Sequence, residues 1–181
     1  MQDDRPAFDA RSVRRHFAIF AVSWWVGVPL AIVSGFISGP AAPLLGLLLA
    51  PAVIVATVFW CILLYRQWSL LQGHGARTTP GRAVGFGFIP FYCFYWWFVA
   101  YAGLATDTNN YLKAAGISSA HLSFGLAVTD CILSILGATI GLFPPFGSVI
   151  MIPSLFLGFA LALQQRNCVL AILQKREPQH S

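Results

Sequence analysis

Asp130 is the one acid inside an apolar run, HLSFGLAVTDCILSILGATIGLF (121–143). It lies nine residues past His121, about 13 Å at a helical rise of ~1.5 Å per residue, which is near the middle of a bilayer-spanning helix. A carboxylate held there costs roughly 2.5–3.5 kcal/mol on insertion scales, so such residues face a bundle interior and often mark a pathway or proton relay. The plainer expectation is a protonated, neutral Asp130 hydrogen-bonded to a neighbouring helix, with Ser23, Ser34 or Thr57 as partner. Asp130 is therefore the first candidate functional residue, either way on the inside of a bundle.

Other groups carry less chemistry. His16 and His121 each open an apolar run, which raises a bis-histidine haem or metal site, but no further ligand stands at useful spacing. The four cysteines, Cys61, Cys93, Cys131 and Cys168, sit among apolar neighbours with no CxxC; they read as small buried hydrophobes, with neither disulfide framework nor zinc site. Arg77 and Arg82 flank TTPG; they could hold an anionic lipid headgroup, and the preferred reading is a plain positive-inside signal. Glycine-rich GRAVG and GFG lack the GxGxxG or GxxxxGK[ST] context of a phosphate loop, and there is no GxSxG or HExxH. No nucleophile–base pair emerges. The expectation is a protein without catalytic, cofactor or metal residues, hence not an enzyme.

The elements that must position these residues are helical and apolar. Of 181 residues, 57% are hydrophobic and only 9% charged, against ~25% charged in soluble domains. Uncharged runs of about 18 residues or more are membrane-span candidates. Four read easily: 17–38, with Pro29 as a kink; 44–65; 121–143; and a last one from Ser148 to Leu163, continuing into an amphipathic end. The first run is too long for a cleavable signal core of ~7–15 residues, so a retained signal anchor is expected. The turns GPAAP and PPFG join the runs as two hairpins.

Charge sets the orientation. The net charge of +5 is no nucleic-acid signal, because the basic residues flank apolar runs rather than forming a block. If residues 85–98 do not cross the membrane, all eleven Lys and Arg fall on one side. If they do, there are five spans and Lys113, Arg166, Lys175 and Arg176 land outside. Lys and Arg concentrate in cytoplasmic loops, which favours four spans. Gly35, Gly39, Pro43 and Pro51 also have counterparts 102 residues on, at Gly137, Gly141, Pro145 and Pro153. A hairpin repeated in the same orientation agrees with an even number of crossings between the copies. GFISG and GATIG are small-xxx-small patterns that let helices approach closely.

Between the hairpins lies GFGFIPFYCFYWWF (85–98). Pro90 disfavours a helical residue before it and lacks an N–H, so a helix is expected to begin there rather than run through it. Tyr92, Tyr95, Trp96, Trp97 and Tyr101 suit the headgroup level, where a ring can be apolar and its polar tip wet. A shallow re-entrant loop followed by an aromatic interfacial helix is expected, packed on the cytoplasmic end of the bundle. Trp96 and Trp97 would then face a partner and be replaceable without loss of folding.

The surrounding sequence resembles a family of bacterial multi-pass membrane proteins of unknown function, some of which carry a GYF-like domain. The matching residues are Thr79-Pro80-Gly81, Ala83-Val84-Gly85-Phe86, Ile89-Pro90-Phe91 and Tyr95-Trp96, with Gly103-Leu104-Ala105, Asp107 and Asn109 or Asn110 beyond them. Cys93 stands where that pattern has asparagine, so the turn here must be closed by something else. The resemblance implies the bacterial cytoplasmic (inner) membrane and no particular activity.

The sequence thus predicts an all-α integral membrane protein of four transmembrane helices in two hairpins, five spans being the alternative. Its parts are a cytoplasmic leader (1–16), a first hairpin (17–65), a cytoplasmic loop with the re-entrant aromatic segment (66–120), a second hairpin (121–165) and a cytoplasmic tail (166–181). A non-enzymatic structural, assembly or interaction role is expected, with Asp130, Pro90, Trp96, Trp97, Arg77 and Arg82 as candidates. The partners would be the bilayer and a membrane protein or a second copy, and not nucleic acid. A small oligomeric transporter or channel with Asp130 on its pathway is the alternative.

Overall fold

Asp9 accepts a hydrogen bond from the Ser12 N–H at 2.9 Å, satisfying one of the donors a helix start leaves open, and α1 (Ala10–Ser34) begins there. The structure is a computed structural model that describes residues 8–34, 41–140 and 146–176. Six further helices follow: α2 (Ala41–Leu71), α3 (Pro80–Gly85), α4 (Tyr92–Trp97), α5 (Gly103–Ala114), α6 (Phe124–Ile140) and α7 (Phe146–Arg176). The described residues are all helix and connection.

Two stretches, Ala50–Leu71 and Ile152–Arg176, are long and apolar enough to cross a membrane by length and composition, and Phe124–Ile140 is apolar but shorter. Each of the four long helices turns large apolar side chains outward, among them Val22, Leu48, Ile132 and Phe156. Soluble monomers rarely expose apolar surface on this scale. The expected spans 17–38 and 121–143 run beyond the described residues, as do Gly35, Gly39 and Gly141 of the small-residue patterns and half of the repeated hairpin positions. Close helix approach is nonetheless visible at Gly27, where a Cβ would lie 3.0 Å from the Ala52 Cβ and 3.1 Å from its carbonyl carbon. Without a side chain there, α1 and α2 pack backbone to backbone.

The long helices pass the ends of their apolar runs unbroken. α2 continues through Arg66 to Leu71, and α7 through Arg166 to Arg176. Trp68, Leu71, Leu122, Val169 and Ile172 recur at core-facing positions and are buried with Leu104 of α5. Basic residues gather at this end of the molecule. Arg66 donates to Ser12 Oγ and lies over the Phe8 ring, Arg166 lies over Phe17, and Arg176 donates to Leu70 O.

The bundle is closed by the chain between the hairpins. α1 packs on α2, α6 on α7, and α7 on both α1 and α2. The gap between α2 and α6 is filled by residues 80–114: α3 and α5 lie against α2, and the segment joining α4 to α5 lies against α6.

Candidate functional site

The path of residues 72–114 determines the site. Gln72 Nε2 donates to Thr78 O at 3.0 Å, so the chain sets out beside the end of α2. Thr79 caps α3, accepting from the Arg82 N–H, with Pro80 in the first turn, where its missing N–H costs nothing. α3 and the 3₁₀ turn Phe86–Phe88 then run back along α2. Phe88 shares a cavity wall with Thr57, fifteen residues from Gln72, so the excursion is about 20 Å long at the helical rise. The segment thus folds back along α2 instead of staying at its end.

The reversal happens at Ile89–Tyr92. Phe91 has φ of 61° and ψ of −41°, and the Tyr92 N–H donates to Pro90 O at 2.7 Å. This is the rare γ-turn of positive φ, a conformation that costs a non-glycine residue about 1–3 kcal/mol. Cys93 N–H donates to Ile89 O at 2.9 Å. Main-chain bonds therefore close the turn that asparagine was expected to close. The helix starts at Tyr92, two residues later than Pro90 suggested.

The returning limb, residues 92–114, is one helical rod with a π-helical stretch at Phe98–Ala102. A π-turn frees carbonyls that an α-helix would use. Ala100 O accepts from Trp68 Nε1 at 3.2 Å, and Trp97 O accepts from the Cys131 thiol at 3.6 Å. Trp60 donates to the Tyr101 hydroxyl at 2.7 Å and Gln67 to Thr108 Oγ1 at 3.0 Å. Both pairs are 41 residues apart, so the rod runs parallel to α2 back to the end it left.

Two contacts lock the return. The His74 ring meets Tyr111 edge-on at 4.8 Å. The Arg77 guanidinium reaches both Asp107 oxygens, the shortest bond being 2.6 Å, and the Arg77 N–H adds a bond at 3.1 Å. These hydrogen bonds hold the Arg77 pKa above its ordinary value. Arg77 is thus engaged with Asp107. Arg82 is exposed on α3.

The expectation of outward-facing tryptophans is also corrected. Trp96 is buried, stacked on Tyr92 and edge-on to Phe86, and it donates to Ala83 O at 3.2 Å. Trp97 is half-buried and lines the central cavity. The side chains that do face outward around the turn are Phe88, Ile89, Phe91 and Tyr95, with Phe91 85% exposed.

Between the bundle and the hairpin is a cavity of about 380 Å³ to which α1, α2, α6, α7 and the hairpin all contribute. Asp130 lines it and is 8% exposed. Its partner is none of those expected. Ser154 of α7 donates to Asp130 Oδ1 at 3.1 Å, and Ser134 lies 3.2 Å from the same Ser154 hydroxyl. Thr57 instead donates to Val53 O in its own helix. Gly158 makes room for the arrangement, since a Cβ there would lie 3.2 Å from the Trp24 ring and 3.5 Å from Asp130 Oδ1. Trp24 is fixed by its bond to Leu155 O at 3.1 Å and stacks on Trp60.

The two histidines lie apart from this cavity. His16 sits 3.2 Å from Ser12 Oγ and stacks near Phe59, and His121 lies 3.4 Å from the Asn109 amide. Among the described residues, no three His, Cys, Asp or Glu side chains come together in a way that could hold a metal. Sequence reasoning missed Ser134, Ser154, Trp24, Trp60 and the Asn109 clasp on Leu122, whose main-chain N–H and C=O both bond to that side chain at 2.9 and 2.7 Å. The pairs are far apart in the chain, and only Asn109 carried a signal, as part of the motif beside Asp107. Set against family models, curated proteins and solved structures, the chain matches none of them.

Proposed function

We propose that this chain is a four-span protein of a bacterial cytoplasmic membrane, non-enzymatic, whose re-entrant hairpin encloses a binding cavity for a small solute. Both termini and the segments around His74 and Lys113 face the cytoplasm. The observation that supports this topology is the contact of His74 with Tyr111, since two ends that touch are most simply read as facing one side of a bilayer. The clustering of Arg66, Arg166 and Arg176 at that same end supports it through the preference of Lys and Arg for cytoplasmic loops. The family resemblance around residues 79–110 is part of this reading.

The cavity supports a transporter- or channel-like role over a purely structural one. Non-helical backbone at membrane depth is tolerated where protein covers it or it lines a cavity; Gly87 and Phe88, just before the turn, line the cavity. An intramembrane carboxylate facing that cavity is the usual mark of a solute path. The outward Phe88, Phe91 and Tyr95 favour a second reading, in which the hairpin tip docks another membrane protein or a second copy.

Thiol accessibility separates the two. Ser154→Cys, in a chain with its four native cysteines changed to alanine and an unaltered melting curve, is expected to react with a small water-soluble methanethiosulfonate in vesicles. Protection equal to that of a lipid-facing control such as Ile132→Cys would leave the cavity sealed and the structural reading standing.

A further inference from the structure

The composition of the cavity wall is unusual for its polarity. Among the described residues, Asp130 is the only Asp, Glu, Lys, Arg or His that lines it. Among the described residues, Asp130 forms no ion pair, and the Arg77–Asp107 pair lies at the far end of the hairpin. Ser154 bonds Oδ1, while Oδ2 accepts no hydrogen bond from the described residues. A buried carboxylate with one hydroxyl partner and no protein cation is electrostatically incomplete, because such groups are normally paired.

The other walls are aromatic. Trp24 stacks on Trp60 with ring centroids 5.3 Å apart, Tyr101 meets Trp60 edge-on at 6.0 Å, and Trp97 and the edge of the largely exposed Phe88 contribute on the side of the hairpin, where the cavity stays partly open. Indole and phenol faces carry negative quadrupole density and attract cations within about 6 Å of the ring centre. Trp24 and Trp60 cover one face of each other; the ionised form of Asp130 and the ring faces left open to the cavity select the same sign of ligand charge. The volume of about 380 Å³ falls in the ~300–1,000 Å³ range of small-molecule sites.

The approach is apolar. A second groove of about 710 Å³ lies along α2 and shares Thr57, Cys61, Val84 and Phe88 with the cavity. Its remaining lining is Val53, Ile54, Val58, Ile62 and Tyr65 of α2, with Arg66 and Phe8 at one end, where the Phe8 ring lies under the Arg66 guanidinium. Only a few side chains separate the two spaces, which offers a lateral route for a ligand with a hydrophobic part. A hydrated metal ion would find no second carboxylate and few oxygens, whereas an organic cation needs neither.

We propose that the cavity binds a small organic cation with an aromatic or alkyl body, its charge between Asp130 and the Trp24–Trp60–Tyr101 wall. This rests on the reading of the cavity as a solute site and names its ligand class. The test compares benzyltrimethylammonium with neopentylbenzene, its uncharged carbon isostere, by tryptophan fluorescence of the full chain in nanodiscs.

The native protein is expected to bind the cation about tenfold more tightly than the isostere. Asp130→Asn is expected to bring the two within about threefold of each other while leaving the isostere's affinity unchanged. If Asp130→Asn does not fold, Trp60→Leu serves as the second variant and must weaken the cation more than the isostere. Equal affinity of both compounds for the native protein would overturn the cation proposal and leave the solute cavity in place. Binding of neither would overturn the cavity reading as well.

Discussion

Trp96→Ala is expected to lower the unfolding free energy of the detergent-solubilised protein by about 3–5 kcal/mol, the range for deleting a buried tryptophan. Trp96 is 8% exposed and holds the two limbs of the re-entrant hairpin to each other. Its ring stacks on Tyr92 at 5.7 Å and meets Phe86 edge-on at 4.8 Å. Its indole N–H reaches the Ala83 carbonyl of α3 at 3.2 Å. Alanine would leave a cavity between α3 and α4 and strand that carbonyl.

Trp96→Phe keeps most of the packing and loses the hydrogen bond, so it should cost only about 1 kcal/mol more than a conservative aromatic swap. Scanning fluorimetry measures both, and tryptic cleavage after Arg82 reports whether the hairpin has come away from the bundle. Native-like melting of Trp96→Ala would mean that the ring faces outward, as its aromatic neighbourhood in the sequence first suggests.

Asn109→Ala is expected to cost about 2–4 kcal/mol, because it strands two main-chain groups at once and each buried orphan costs about 1–3 kcal/mol. The Asn109 amide donates to Leu122 O at 2.7 Å and accepts from the Leu122 N–H at 2.9 Å, and Leu122 is fully buried. This clasp fixes the entry to α6 against α5, hence the position of Asp130 two turns further on. Asn109→Asp should not rescue, since its second oxygen would face the Leu122 carbonyl. Asn110 is exposed, and Asn110→Ala should stay within about 0.5 kcal/mol of the native protein. Chemical denaturation of the three variants measures the contrast; similar values for Asn109→Ala and Asn110→Ala would remove the clasp from the account.

The elements were legible in the sequence wherever one physical term dominated. Long uncharged runs announced the four long helices, because hydropathy alone decides them. Pro90 announced a break, because a missing N–H and a ring clash are local facts. The single acid announced Asp130 for the same reason.

What could not be read depended on register between distant elements. Ser154 is 24 residues from Asp130, and Ser23, Ser34 and Thr57 were equally good partners until the rotation of α7 was known. Arg77 and Asp107 are 30 residues apart and meet only because the hairpin returns. Trp96 was misassigned because YCFYWWF has aromatics on every face, so no periodicity separates inside from outside. The extent of α2 was underestimated for another reason, whereas the amphipathic end expected after Leu163 is the last part of α7. Arg66 and Arg166 mark the end of an apolar run, yet Trp68, Leu71, Val169 and Ile172 continue the buried face beyond them.

The central claim is that residues 74–111 enter the bundle and come back to the side they left. Cysteine labelling of intact spheroplasts with a membrane-impermeant maleimide tests it most directly, using His74→Cys and Lys113→Cys, both exposed positions, in the background without native cysteines. The account predicts that neither cysteine reacts until the spheroplasts are lysed, and that both react then. Reaction of Lys113→Cys in intact spheroplasts while His74→Cys stays protected would mean that the aromatic segment crosses the membrane, and would contradict it.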